Sequence, residues 1–384
     1  MLNHTIKPRF EAGMTKALQC KVIRMRTLAE NSLLEQEIIN LADKYLPDAV
    51  QRDKEITAHR LHGDAGFRNY FRLSTHPSVL GVYAETCDED WVSFMRVSHL
   101  LDSLEVRVPK IYTADLRAGM LVIEDLGDEL YQNSLLDQIN MDNADRLYRD
   151  AINALTKIQH CEDRPAWLPR YSDGLLLQEM ELFPTWFVQQ LLDYPVDASE
   201  SELIASAFKY LVSQSLAQPQ VLVHRDYHCR NLLDIGSDSP GVIDFQDAVW
   251  GPVTYDLVSL SRDVYLRWNR SKVEAVRDEF ANKLLERGVI DEEGIASFPI
   301  WFESMSAQRH LKVLGIFARL SLRDGKTEYL NDMPLALRYL LETCEQDPEL
   351  QNFADWIKTA LLPLIEKQDW YVDWHLAGNE KTVW

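Results

Sequence analysis

Strict alternation of apolar and polar positions is confined to the first third of the chain, and helical spacing governs most of the rest. From Thr27 to Tyr45, Leu33, Leu34, Ile38, Ile39 and Leu41 recur at helical intervals ahead of Pro47, which predicts a helix with a stop. Residues 56–86, ITAHRLHGDAGFRNYFRLSTHPSVLGVYAET, alternate instead. They are rich in β-branched and aromatic residues and punctuated by Gly63-Asp64 and His76-Pro77. They read as strand, tight glycine turn, strand, loop and third strand. Asp88 to Leu104 predicts a helix, and VPKIYTADL and GMLVIEDLG predict two further short strands. Beyond Asn133 the spacing is helical, with Val273–Leu285, Phe298–Leu322, Leu335–Cys344 and Leu350–Leu364 the clearest cases. Only residues 221–251 break it, as strand, loop, strand. The pattern therefore predicts an α+β chain of two lobes, with no internal repeat. A small antiparallel sheet occupies 27–125, and a large, mainly helical lobe occupies 126–384.

Composition narrows the picture. Hydrophobic residues make up 46% of the 384, enough for a sizeable core. No apolar run approaches the roughly 20 residues of a membrane helix. The formal net charge of −20 repels phosphate backbones, which argues against a nucleic-acid partner. It also means that any phosphate-handling site must gather its own cations. Five scattered cysteines without a Cys-x-x-Cys fit a reducing cytoplasm better than a disulfide framework or a zinc site. Residues 1–26 are locally basic and lack the apolar core of a secretory signal; they read as a loosely ordered extension, with Met25 as an alternative start.

The exceptional stretch is VLVHRDYHCRNLLDIGSDSPGVIDFQDAVWG. An apolar run enters a loop at His224, Asp226 follows, Asn231 lies five residues further on, and Asp244 ends the next apolar run. Taken singly, each of these is an ordinary turn former or cap. Taken together, a carboxylate and an amide offer hard oxygen ligands suited to Mg²⁺, which draws its other ligands from water and phosphate. The second carboxylate can then receive a proton from a hydroxyl. That division of labour belongs to phosphoryl transfer, where positioning and charge neutralisation do most of the catalysis. His-Arg-Asp-x-x-x-x-Asn followed by Asp after a short hairpin is the spacing of a kinase catalytic loop and metal site.

HRDYHCRN with IDFQDAVWGP resembles the aminoglycoside-phosphotransferase-like, or choline-kinase-like, branch of the protein kinase fold. His228 stands where protein kinases usually carry Lys, Asp-Phe-Gln replaces Asp-Phe-Gly, and GPVTYDL follows with no activation segment between Asp244 and Asp256. GDAGFRNYFRL, LVIEDLGDELY, EMELFPTWF and QRHLKVLGIFARL extend the resemblance to the bacterial anomeric kinases of N-acetylmuramate and N-acetylglucosamine in cell-wall recycling, from about Leu33 to the C-terminus. The resemblance implies a protein-kinase-like bilobal fold, ATP and Mg²⁺ as cofactors, Asp226 as the catalytic base, and Asn231 and Asp244 as metal ligands. It implies structural roles for Asp256, accepting backbone N–H groups of the catalytic loop, and for His224. It further implies a sugar 1-phosphate product handed to a nucleotidyltransferase. Kinases of aminoglycosides, choline or homoserine remain rivals, as does a nucleotide-binding pseudokinase scaffold.

The kinase pattern is incomplete. The third strand, SVLGVYAET, has no Lys, and the glycine loop is short. Alternation in GFRNYFRL puts Arg68, Tyr70 and Arg72 on one face. Arg68, with Arg72 beyond it, is either the replacement phosphate donor or an arginine on a solvated face, paired to an acidic neighbour. Adenine would be read by backbone groups near Glu124 to Leu126. For the acceptor, Glu179, Phe183 and Trp186 in EMELFPTWF and Arg309 and Lys312 in QRHLK either line a sugar site or belong to ordinary amphipathic helices. A lactyl carboxylate would favour a cation in the latter set. His228 reaches either the loop or the acceptor.

Overall fold

The computed structural model describes residues 28–52, 55–61, 68–85, 88–136 and 141–383. The N-terminal extension and the Gly63-Asp64 turn lie outside them. The chain divides into two compact units. Described residues up to Met95 and Pro109–Asp125 form one, and Arg96–Val108 with Leu126 onward form the other. Residues 96–108, expected in the first lobe, thus group with the second.

The first unit is a five-stranded antiparallel sheet. Its strands are β1 (Ala58–Leu61), β2 (Asn69–Leu73), β3 (Val79–Tyr83), β4 (Ile111–Asp115) and β5 (Met120–Glu124), in spatial order β1-β2-β3-β5-β4. The register is Phe71 opposite Gly81 and Gly81 opposite Val122. Alternation therefore sends Phe71, Leu73, Val79, Tyr83, Met120 and Val122 into a buried cluster with Leu34, Ile38 and Ala42 of helix α1 (Leu28–Tyr45). α1 sits so close that a Cβ on Gly81 would lie 2.1 Å from Ile38 Cγ2, so only glycine fits there. Helix α2 (Asp88–Ser103) follows β3.

The second unit is organised around α8. Ahead of it come α3 (Met141–Ile158), α4 (Asp173–Met180), a π-helical segment (Phe183–Leu191) and α5 (Ala198–Ala217). Two short antiparallel pairs follow: β6 (Gln220–Val223) with β9 (Val249–Pro252), and β7 (Leu232–Leu233) with β8 (Gly241–Val242). Then come α6 (Tyr255–Ser261), α7 (Arg270–Glu286), α8 (Glu292–Asp324) and α9 (Met333–Cys344). Helical spacing placed the start of α8 near Phe298. It begins at Glu292 instead, because the Asp291 side chain accepts from Gly294 N at 2.9 Å and caps the first turn, leaving Pro299 inside the helix. From Ser304 to Leu314 α8 is buried all round. A helix enclosed on every side must bury its polar residues too, so Gln308, Arg309, His310 and Lys312 point into the protein. Gly315 lets it press on the backbone at Leu182 and Phe183, where a Cβ would lie 2.4–2.6 Å away. That contact sets α4 beside α8.

Candidate active site

The loop from His224 to Asn231 hangs between β6 and β7, and Asp244 follows β8. Its shape is held by two buried carboxylates. Asp256, fully buried at the start of α6, accepts from the backbone N–H of His224 at 2.7 Å and of Arg225 at 3.0 Å. Asp263 accepts from Cys229 N at 3.0 Å and Tyr265 N at 2.9 Å. His224 is buried, and burial keeps its pKa below the ordinary value despite Asp256 and Asp226 nearby. Neutral and protonated on Nε2, the ring can donate to Ile243 O at 3.0 Å while Nδ1 accepts from Asp226 N at 3.3 Å. One imidazole thus ties the loop that carries Asp226 to the residue before Asp244. Arg225 and Asp244 sit in the left-handed region, at φ 80° and 62°, which non-glycine residues adopt only when the surroundings compel it.

The Asp226 carboxylate accepts no hydrogen bond from any described residue, yet Lys312, His228, Arg309 and Arg225 surround it electrostatically. Burial would raise its pKa; these groups outweigh burial and bring it down to about 2. Asn231 donates from Nδ2 to Asp226 O at 2.9 Å, which leaves its amide oxygen as an acceptor. Ile243 N donates to Asn231 O at 3.1 Å, so the chain itself links the amide to the exposed Asp244. Gln246, the residue that replaces the expected glycine, donates to Asp244 Oδ1 at 2.8 Å and orients it. An amide oxygen and an oriented carboxylate fit Mg²⁺ in donor chemistry.

The residues expected to meet an acceptor have divided occupations. Glu179, 6% exposed, is the hub of a buried ion network. Its Oε1 pairs with Arg225 and, at 3.2 Å, with Lys312 Nζ, and its Oε2 accepts from Tyr171. Lys312 also donates to Tyr255 Oη at 3.0 Å, so both ends of this pair are already engaged. Phe183 is fully buried, stacked on Phe187 at 5.3 Å and edge-on to Phe353 at 6.3 Å. It packs the core and is no open sugar platform: the contact at Gly315 turns this side of the segment inward. Trp186 is half-buried and makes no ring contact with the loop among the described residues. His228 stands with its ring 5.4 Å from Tyr265, and its buried Nδ1 has no partner among the described residues. Burial lowers its pKa. Arg309 is buried over Tyr255, 5.9 Å from the ring centre.

In the first unit, Arg72, which alternation offered as a phosphate donor, is paired to an acidic neighbour. It holds Asp125 with two prongs, Nε to Oδ2 at 2.5 Å and Nη2 to Oδ1 at 3.0 Å, and Ser78 adds a third donor at 2.8 Å. Arg72→Met is expected to destabilise the protein by about 1.5–3 kcal/mol, the worth of hydrogen bonds to a buried charge, with the ATP Michaelis constant unchanged. Chemical denaturation alongside ATP kinetics tests this, and a raised Michaelis constant would return Arg72 to the nucleotide. Arg68 lies over Trp91 and Phe94, 5.5 and 5.6 Å from their ring centres, and makes no hydrogen bond to a described residue. Glu124 closes β5, its N–H donating to Lys110 O at 2.8 Å, and Leu126 begins the second unit against Gly241.

Two groups escaped the sequence reasoning. Asp263 left a signal, an acid inside the otherwise largely apolar stretch LVSLSRDVYL. Arg225 left none, because its partner Glu179 lies 46 residues away.

Residues 57–294 match the family model described as "Phosphotransferase enzyme family". An N-acetylmuramate/N-acetylglucosamine kinase of Pseudomonas putida is 41% identical over 338 residues, covering 86% of this chain and 97% of its own. The like-named kinase of Pseudomonas aeruginosa is 38% identical, covering 76% and 85%. Among solved structures, choline kinase from Cryptosporidium parvum Iowa II superposes with a TM-score of 0.58 at 14% identity, over 84% of this chain and 99% of that one. The fold is thus protein-kinase-like.

Proposed function

The chain belongs to the phosphotransferase enzyme family, and on that ground we propose that it transfers the γ-phosphoryl group of ATP to the anomeric hydroxyl of N-acetylmuramate and N-acetylglucosamine. The observation that carries this reading is the Asp226 carboxylate, ionised, hydrogen-bonded by no described side chain, and held on one braced loop with Asn231, which a backbone hydrogen bond from Ile243 links to the Asp244 segment. The relatives' names supply the acceptor class.

Asp226 receives the hydroxyl proton as the sugar oxygen attacks phosphorus in line, and ADP leaves. Asn231 and Asp244 hold Mg²⁺, which when bound neutralises charge on the phosphate oxygens. Arg68 and the backbone about Glu124 and Leu126 serve the nucleotide. The product, a sugar 1-phosphate, retains an activated anomeric centre of the kind a nucleotidyltransferase consumes. Free Cys161, Cys229 and Cys344 support a reducing cytoplasm as its setting. No described helix is long and apolar enough to cross a membrane.

A coupled assay of ADP release with Mg²⁺ and, in turn, N-acetylmuramate, N-acetylglucosamine, glucose and kanamycin tests the proposal. Turnover is expected with the two N-acetylated sugars alone. Turnover with kanamycin but neither sugar would move the enzyme to the aminoglycoside branch, and silence throughout would leave the scaffold reading.

A further inference from the structure

We propose that Arg309 is the group that recognises the acceptor's carboxylate, and so sets preference for N-acetylmuramate, whose lactyl group carries one, over N-acetylglucosamine, whose 3-hydroxyl does not. The inference rests on the acceptor class of the preceding subsection and assigns a residue and a chemical determinant within it.

The argument begins with what a buried guanidinium requires. It brings five N–H donors and a charge out of water, which is costly unless acceptors replace the lost hydration. Its neighbours meet that requirement. Lys312 is engaged by Tyr255 and Glu179, Arg225 by Glu179, and Arg262 by Glu303, Ser306 and Thr343. Arg309 retains only 6% of its exposure, and no described residue accepts a hydrogen bond from it. Its guanidinium lies over the face of Tyr255, 5.9 Å from the ring centre. That ring is itself fully buried in α6, next to the Asp256 carboxylate that grips the catalytic loop. The guanidinium is thus held by the same helix that positions the base.

Charge points the same way. The carboxylates that feel Arg309 most are Asp226 and Asp263, and neither forms an ion pair with it. Asp263 is already bonded to two backbone N–H groups, and Asp226 is the proton acceptor. Arg309 acts on Asp226 without bonding it, and it lies 5.9 Å from the ring of Tyr255, the residue before the Asp256 that holds the Asp226 loop, so it is available to a substituent of a hydroxyl held there. Asn231 and Asp244, on the metal side, flank the β7–β8 pair, whereas Arg309 is carried by α8 against α6, which favours the acceptor over the nucleotide. A planar fork with matched donors suits a carboxylate. Lys312, the other cation of this helix, is already committed to Glu179 and Tyr255.

The test compares kcat/KM for N-acetylmuramate, its neutral carboxamide and N-acetylglucosamine, in the wild type, Arg309→Met and Arg309→Lys. The wild type is expected to favour the carboxylate over the carboxamide by about 10- to 100-fold, the range of a charge-assisted hydrogen bond. In Arg309→Met that ratio falls to about one, and Arg309→Lys recovers part of it. An unchanged ratio in Arg309→Met, or an equal loss with all three acceptors, overturns the proposal; the latter indicates a contact to the transferring phosphoryl group. If Arg309→Met does not fold, the wild-type ratio and Arg309→Lys decide: a wild type indifferent to the carboxamide overturns it. Failure of the parent reading is separately visible, because the wild type would then turn over neither sugar.

Discussion

Asp226→Asn is expected to lower kcat by about 10²–10⁴-fold, the range for loss of a positioned proton acceptor, while the ATP Michaelis constant stays near wild type. The substitution keeps the shape of the side chain and removes only its charge and basicity. The backbone of Asp226 makes the structural contacts, accepting from Asn231 and His228 and donating to His224, and asparagine preserves them all. The size of the effect depends on what a carboxylate with a pKa of about 2 can do. It is too weak a base to ionise a sugar hydroxyl beforehand. It can orient the hydroxyl and take the proton late, once the phosphorus–oxygen bond is largely formed, which suits a loose transition state. The same low pKa fixes the pH dependence. Asp226 is already ionised well below neutrality, so it contributes no acid limb between about pH 4 and 7. Asp256 does titrate there: burial raises its pKa to about 6, opposed by His224 and the two N–H groups it accepts. As pH falls through about 6 it gains a proton, its bonds to His224 and Arg225 lose their charge assistance, and the loop slackens. A kcat/KM profile that falls on the acid side near pH 6 is the expected result. A loss under tenfold in Asp226→Asn would mean that another group orients the hydroxyl.

The parts of this protein that could be read from sequence are the local ones. Asp226 and Asn231 lie on one short loop between two apolar runs, so spacing alone exposes their relationship. The five strands follow from alternation. What could not be read is pairing across distance. Alternation put Arg72 on the right face of β2, but Asp125, 53 residues on, decides its occupation. Helical spacing put Glu179 and Phe183 on one side of their segment. Which side faces the core was settled by Gly315, more than 130 residues later, whose missing side chain lets α8 lie against Leu182 and Phe183. A polar cluster in an apolar helix signals that something is buried with it. Only the fold shows that Lys312 is neutralised by Glu179 and that Arg309 is left with an aromatic face.

Glu179→Ala is expected to reduce stability by about 3–5 kcal/mol, the cost of leaving buried charges without their counter-ion. One carboxylate serves two cations and a phenol: Arg225 from the catalytic loop, Lys312 from α8, and Tyr171, which precedes α4. Burial would raise the pKa of Glu179, but Lys312, Arg225 and the Tyr171 hydroxyl outweigh it and hold it below its ordinary 4.5. Its contribution is therefore complete at neutral pH, persists above about pH 4.5, and fades as pH falls below that. The wild type and variant should differ most at pH 7.5 and converge on acidification, as followed by denaturant midpoints for the second unit. Glu179→Gln keeps the volume and one acceptor, so it should fall between them. A cycle with Lys312→Met separates the two cations: removing the lysine in the alanine background should recover part of the loss, because it takes away one of the stranded charges. Catalysis should suffer as well, since Arg225 adjoins Asp226 and Lys312 leads the groups that lower its pKa. If Glu179→Ala melts like the wild type at pH 7.5, water reaches these cations easily, and Glu179 is free to meet the sugar as its place in EMELFPTWF first suggested. If the protein is destabilised as expected, the carboxylate belongs to the frame that holds the loop, and the acceptor's polar contacts must come from the groups that the frame leaves available, with Arg309 foremost.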